Sequence, residues 1–255
     1  MMMNTSKSRS LNLAFVLDAQ ALDRITDLLT KKVLERIELD ECRFKKEIEY
    51  EAKLSDGTTK SKLSIGDLLD LPNSPTRQIK QIHIHTPYVS AELQADVWFK
   101  NETITPVYYA VRGDEETVES LSSNLEDEIA GVRQWYTPLT SDRASMMAGM
   151  YGLVLSFLTL AFVLSLAAFG TILKPYIVNI PVVVAGSILL LVLPAILFGL
   201  ALFGAKLFPT GIFAIGQGEQ RHKRLKKIRT TILISVPLTL LIEIVAALIV
   251  ATLMS

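Results

Sequence analysis

The chain contains a long run, 144–205, in which Lys174 is the single charged residue. A transmembrane helix needs about 20 consecutive apolar residues, because the hydrocarbon layer is about 30 Å thick and each helical residue rises about 1.5 Å. The run is long enough for two such helices, near 147–173 and 178–204. The segment LKPYIVNIP, with two prolines, separates them.

A third apolar run, near 230–253, follows a cationic segment. Residues 206–229 carry seven Lys or Arg and one acid, whereas the loop between the first two runs carries one cation. Lys and Arg accumulate on the cytoplasmic side of short loops. The sequence therefore predicts an all-α bundle of three transmembrane helices with a basic cytoplasmic loop, 206–229. The N-terminus is then cytoplasmic and the C-terminus lies outside a multi-pass cell (plasma or inner) membrane.

Six cations of the basic loop are clustered beside the third apolar run. Clustered cations next to a span gain about 1 kcal/mol each near an acidic leaflet, so the expected partner is a bilayer with an anionic cytoplasmic leaflet. An alternative partner is the acidic face of the preceding domain, since residues 1–143 carry 24 acids and 18 Lys or Arg. The residues assigned to this binding are Arg221, Lys223, Arg224, Lys226, Lys227 and Arg229.

Residues 1–140 have the pattern of a folded domain, and 141–255 form the transmembrane region. Alternating apolar residues and the turn sequence SDGT indicate strands joined by hairpins. Asp18 and Ser64 stand where helix N-caps are expected. These patterns predict an α+β cytoplasmic domain with a mostly antiparallel sheet and helices on one face.

The pattern His83-Ile84-His85 is the best candidate for chemistry in this domain. Residues i and i+2 of a strand share a face, so both imidazoles lie together. If PYVS is a symmetric four-residue loop, Glu92 lies opposite His85, and the three side chains suit zinc. The alternative is that the histidines belong to the polar face of a half-buried sheet and have no function.

Glu243 lies near the middle of the third apolar run. A carboxylate near the middle of a bilayer is costly, so it indicates an ion or proton site, or a polar contact that fixes helix association. The alternative is a protonated carboxyl, or one that is hydrogen-bonded to Ser or Thr of a neighbouring helix.

Several function classes find no support. The sequence has no P-loop, no Gly-x-Ser-x-Gly and no His-Glu-x-x-His, and its one cysteine, Cys42, is placed on the apolar side of a strand. No cofactor is implied. The negative charge of the domain disfavours nucleic acid as a partner.

The leading hypothesis is non-enzymatic. The cytoplasmic domain senses or recruits an unknown cytosolic ligand or protein, and the three-span region anchors it or responds. The alternative is a homo-oligomeric channel or membrane effector gated by the domain, with Glu243 facing the axis. A third hypothesis is a membrane-bound metal enzyme at His83 and His85.

Overall fold

The structure is a computed structural model. The described residues are 5–34, 48–86, 93–101, 104–140 and 206–253, together with the isolated helical positions Met150, Gly152, Val154 and Phe157. The chain divides into two compact units: the first combines 1–140 with 209–224, and the second combines 141–208 with 225–255.

Seven described strands and the helices between them precede residue 140, and one strand and one long helix follow residue 206. The strands are β1 (Thr5–Leu11), β2 (Phe15–Asp18), β3 (Glu49–Leu54), β4 (Thr59–Leu63), β5 (Ile79–His85), β6 (Gln94–Lys100), β7 (Val107–Gly113) and β8 (Gly211–Ala214). The helices are α1 (Ala19–Leu29), continued by a π-helical turn (Thr30–Leu34), α2 (Ile65–Leu69), α3 (Glu115–Val132), a 3₁₀ turn (Thr137–Leu139) and α4 (Gln217–Leu253).

Six strands of the first unit form one antiparallel sheet in the order β1-β7-β6-β5-β3-β4. Their residues alternate between a buried face and a half-exposed face, as the period of two requires. Helices α1 and α3 lie against the buried face, where Leu22, Leu121 and Leu125 are fully buried in one core. The prediction of a mostly antiparallel sheet with helices is therefore confirmed for this unit.

Helix starts follow the expected capping chemistry. The Asp18 side chain accepts a hydrogen bond from the Ala21 backbone N–H at 2.8 Å, which starts α1. Ser64 and Asp67 form a reciprocal capping box at the start of α2. Both caps satisfy N–H groups that the first turn of a helix leaves without partners.

The second sheet has two strands, β2 and β8, which run parallel with Phe15 opposite Gly211. The sequence patterns did not predict β8: residues 206–229 were expected to form a basic cytoplasmic loop. Instead, Phe213 and Ile215 are buried in the core of the first unit. Residues 209–224 thus complete a domain that otherwise consists of residues 1–140.

The prediction of a transmembrane bundle is contradicted. Within the described part of the chain, no helix is both long enough and apolar enough to cross a bilayer. The expected third span is the second half of α4, a helix that already begins at Gln217 and carries the basic segment in its first turns. Exposed hydroxyl side chains continue into that half, among them Thr230, Ser235 and Thr239.

The multi-pass membrane location and the inside–outside orientation depended on the same three runs, so both are wrong with them. The expected spans near 147–173 and 178–204 lie outside the described residues, apart from four isolated positions. Glu243 is a residue of α4, but its side chain is not among those described. Its role as an ion site or packing contact stays a prediction.

Candidate binding face of the sheet

The half-exposed face of the six-stranded sheet carries the candidate site. Two neighbouring rows of side chains cross its strands. The first row runs Glu51, His83, Trp98, Tyr108 and Ser10 across β3, β5, β6, β7 and β1. The second row runs Glu49, His85, Asp96, Ala110 and Ser8 across the same strands.

Both histidines of the site have carboxylate partners. His83 Nε2 lies 3.0 Å from Asp96 Oδ1, and His85 Nε2 lies 3.3 Å from Glu49 Oε2. The two imidazole side chains are about one-fifth exposed, at 18% and 20%. Each carboxylate therefore fixes the orientation of one ring.

An aromatic row continues from the histidines. The His83 ring stacks on the Trp98 ring, with centroids 4.2 Å apart and 9° between the planes. The ring centroids of Trp98 and Tyr108 are 5.1 Å apart with 50° between the ring planes, and those of His85 and His83 are 5.0 Å apart. All four side chains are half-buried, so the row presents ring surface without being sealed in a core.

Charge is distributed unevenly over this face. The two central rows contain three carboxylates, those of Glu49, Glu51 and Asp96, and no Lys or Arg. On the five strands of these rows, the cations of the face belong to the rows on either side: Lys53 and Lys100 share one outer row through Gln81, and Arg112 pairs with Gln94 in another. The aromatic row therefore has the carboxylates of Glu49 and Asp96 on one side and the row of Lys53 and Lys100 on the other.

The predicted metal site is brought together in part. His83 and His85 share a face, as expected, but the hairpin register differs: His85 pairs with Asp96, and His83 pairs with Trp98. The assumed four-residue turn at PYVS was therefore too short. Glu92 lies outside the described residues. Among the side chains that are described, no three His, Cys, Asp or Glu converge as metal ligands.

The six cations assigned to anionic binding are placed in different surroundings. Arg221 bonds to Asn73 inside the first unit, and Lys223 pairs with Glu219 one helical turn earlier at 2.6 Å. Arg229, in the second unit, is buried and donates from Nε to the Leu207 carbonyl oxygen. The other three, Arg224, Lys226 and Lys227, are exposed.

The ion pairs described for the acidic side chains of α3 do not involve these cations. They join Glu126 to Arg9 at 2.6 Å and Glu128 to Arg24 at 2.9 Å. Binding of an anionic surface by the exposed cations stays a prediction.

Sequence reasoning found the two histidines but missed their neighbours. Glu49 and Glu51 come from β3, far earlier in the chain, and no local pattern links them to β5. Asp96 and Trp98 are two residues apart on β6, so their alternation placed them on the correct face. Only the strand order β6-β5-β3 shows that all of them are neighbours.

Comparison with known proteins gave no match: no family model fits the chain, and neither curated proteins nor solved structures resemble it at a significant level.

Proposed function

We propose that the first unit is a non-catalytic recognition module that binds a cationic group, such as a lysine or arginine side chain of a peptide, on its half-exposed sheet face. One observation carries the proposal: a half-buried row of His83, Trp98 and Tyr108 belongs to two central rows that contain three carboxylates and no Lys or Arg.

The chemistry of the face favours a cation over an anion. Aromatic ring faces attract ammonium and guanidinium groups, and the attraction strengthens when the ring is partly desolvated. Three carboxylates within the two central rows add opposite charge at close range. Glu51 is the acid of this set that forms none of the ion pairs described at the site, whereas Glu49 and Asp96 each contact a histidine.

Trp98 provides a direct reporter for the test. The chain has two tryptophans, and Trp135 is 64% exposed at a distance along the chain from the site. In a Trp135→Phe chain, fluorescence therefore reports Trp98 alone. We expect a capped pentalysine peptide to change this fluorescence saturably at low salt, with weaker binding as salt increases. A pentaglutamate peptide is expected to leave it unchanged.

Paired variants separate the face from general charge. Glu51→Gln with Asp96→Asn is expected to weaken pentalysine binding at least tenfold. The matched control, Glu115→Gln with Glu119→Gln, removes two exposed carboxylates from α3 and is expected to retain the affinity. Equal losses in both pairs would show that the peptide binds the overall negative charge, which would contradict the proposal.

A divalent metal ion is the second candidate ligand, because His83 and His85 share a face with Glu49 and Asp96. Against it, each imidazole Nε2 contacts a different carboxylate, so the described ligands do not converge. A Zn²⁺ titration of the chain, with and without His83→Ala and His85→Ala, tests it. Stoichiometric binding that both substitutions abolish would favour the metal.

A further inference from the structure

A row of hydrogen-bond donors lies beside the aromatic row on the half-exposed face of the sheet. Gln81 pairs with Lys53 on one side and with Lys100 on the other, so this donor row (Lys53, Gln81 and Lys100) crosses β3, β5 and β6. Its three residues are exposed or half-buried. In the described part of the chain, no ion pair involves either lysine. The donor row therefore offers two ammonium groups and one amide to a ligand.

The donor row and the carboxylates of Glu49 and Asp96 lie on opposite sides of the aromatic row. Along β6 the order on this face is Lys100, Trp98 and Asp96, and the neighbouring strands β5 and β3 are in register with it. Residues two apart on a strand are about 7 Å apart along it. A ligand on the Trp98 ring therefore has cations about 7 Å to one side and carboxylates about 7 Å to the other.

This order of charges favours a ligand that carries both signs over a simple cation. The ammonium group of an internal lysine is attracted by the carboxylates, but the donor row repels it. A ligand that also has an anion on the side of the donor row replaces this repulsion with attraction. The free carboxylate of a C-terminal lysine fits this requirement, because an extended lysine places its Nζ and its carboxylate roughly 7 Å apart.

We infer that the sheet face recognises the C-terminal lysine of a peptide, with the ammonium group over the aromatic row near Asp96 and the free carboxylate at the donor row. This inference rests on the proposed recognition of a cationic group and adds the anion that accompanies it. A C-terminal lysine supplies both charges from one residue, so binding has to order only that residue. An acidic side chain elsewhere in the peptide would require the intervening backbone to be ordered as well.

Fluorescence of Trp98 in the full-length Trp135→Phe chain tests this preference. The probes are acetyl-Gly-Gly-Gly-Gly-Lys with a free carboxylate, the same peptide with a C-terminal amide, and the capped pentalysine peptide. At low salt, the free acid is expected to bind at least about fivefold more tightly than the amide. If pentalysine binds but the free acid binds no more tightly than the amide, the inference is overturned and the proposed function stands. If none of the three peptides binds, both fail.

Paired substitutions show whether the donor row causes the preference. Lys53→Gln with Lys100→Gln is expected to abolish the difference between the free acid and the amide. The matched control, Lys7→Gln with Lys60→Gln, removes the same charge from the opposite side of the sheet, since both lysines pair with buried residues of neighbouring strands. The control is expected to retain the preference, and an equal loss in both pairs would overturn the inference. An amidated acetyl-Gly-Lys-Gly-Asp-Gly peptide that binds as tightly as the free acid would also overturn it.

Discussion

One guanidinium nitrogen of Arg221 donates to both oxygens of Asn73, at 2.8 Å to the backbone carbonyl and 2.7 Å to the side chain. The two residues are 148 positions apart. Burial lowers the pKa of the Arg221 guanidinium, and no acidic side chain contributes to that shift. The contact therefore depends on hydrogen-bond geometry, and it joins two distant segments of the first unit.

Removal of the Asn73 side chain is expected to destabilise the first unit by about 2–4 kcal/mol, because buried carbonyl and N–H groups lose their partners. Asn73 has φ +40°, so Ala would add backbone strain, and Asn73→Gly removes the side chain without it. Urea unfolding measures the change. The control is Asn12→Ala, at an exposed asparagine, with an expected change of at most about 0.5 kcal/mol. Equal stability of Asn73→Gly and the control would contradict this role.

Alanine at two helical glycines is expected to have opposite effects. Gly218→Ala brings a Cβ within 2.1 Å of the Phe213 carbonyl oxygen and should destabilise the first unit by more than about 1 kcal/mol. Gly131 in α3 has open space around the Cβ position, so Gly131→Ala should stabilise it by up to about 1 kcal/mol. Thermal unfolding of both variants gives the comparison, and a shift of the same sign in both would refute the assigned packing.

Glu126 connects α3 to the sheet and is expected to make stability depend on pH. The hydrogen bond from the buried Tyr109 hydroxyl, followed by the one from Arg9, lowers the pKa of the Glu126 carboxyl. A lowered pKa means that the stabilisation is present above the unfolded pKa of about 4.3 and is lost as pH falls through the lower folded value.

Glu126→Gln should therefore cost about 1 kcal/mol at pH 7 and progressively less below about pH 4. Urea unfolding across this range measures the difference from the unchanged chain. The matched control, Glu119→Gln, is an exposed acid of the same helix and should show little change at either pH. A cost for Glu126→Gln that stays constant down to pH 2 would exclude the ionised carboxylate as its source.

Loss of the His83 ring is expected to expose Trp98. In the Trp135→Phe chain, His83→Ala should shift the fluorescence of Trp98 to longer wavelength and increase its quenching by iodide, because the stacked ring 4.2 Å away is gone. His85→Ala is the control, since the described ring contact of His85 is with His83 and not with the indole. Identical spectra for the two variants would argue against the stacked arrangement.

Local signals predicted the parts of the fold that are local in sequence. Asp18 and Ser64 cap helices because their side chains reach N–H groups three residues away, within the same sequence window. The turn at Asp56 and Gly57 likewise follows from local backbone preference, since Gly57 has φ +84°. Patterns of this range also placed His83 and His85 on one face.

Relationships between distant segments were not predicted. The parallel pairing of Phe15 with Gly211 leaves no periodic pattern in the sequence, and residues 206–229 were interpreted as a basic loop. The hairpin register failed because the turn between β5 and β6 was assumed from PYVS alone. The transmembrane interpretation depended on counts of apolar residues. Such counts indicate that a segment prefers an apolar environment, but they do not distinguish a bilayer from a protein core.

Because β2 pairs with β8, the first unit can be completed only late in the synthesis of the chain. Phe15 emerges from the ribosome early, but Phe213, which covers it, is made only after the whole of 141–208. At typical translation rates the synthesis of 141–208 alone takes roughly 3–14 s, far longer than hydrophobic collapse. During that time the nascent domain lacks one strand and the partners of Asn73. The edge of β2 and the Phe15 ring are therefore open to chaperones and to neighbouring nascent chains until β8 is synthesised.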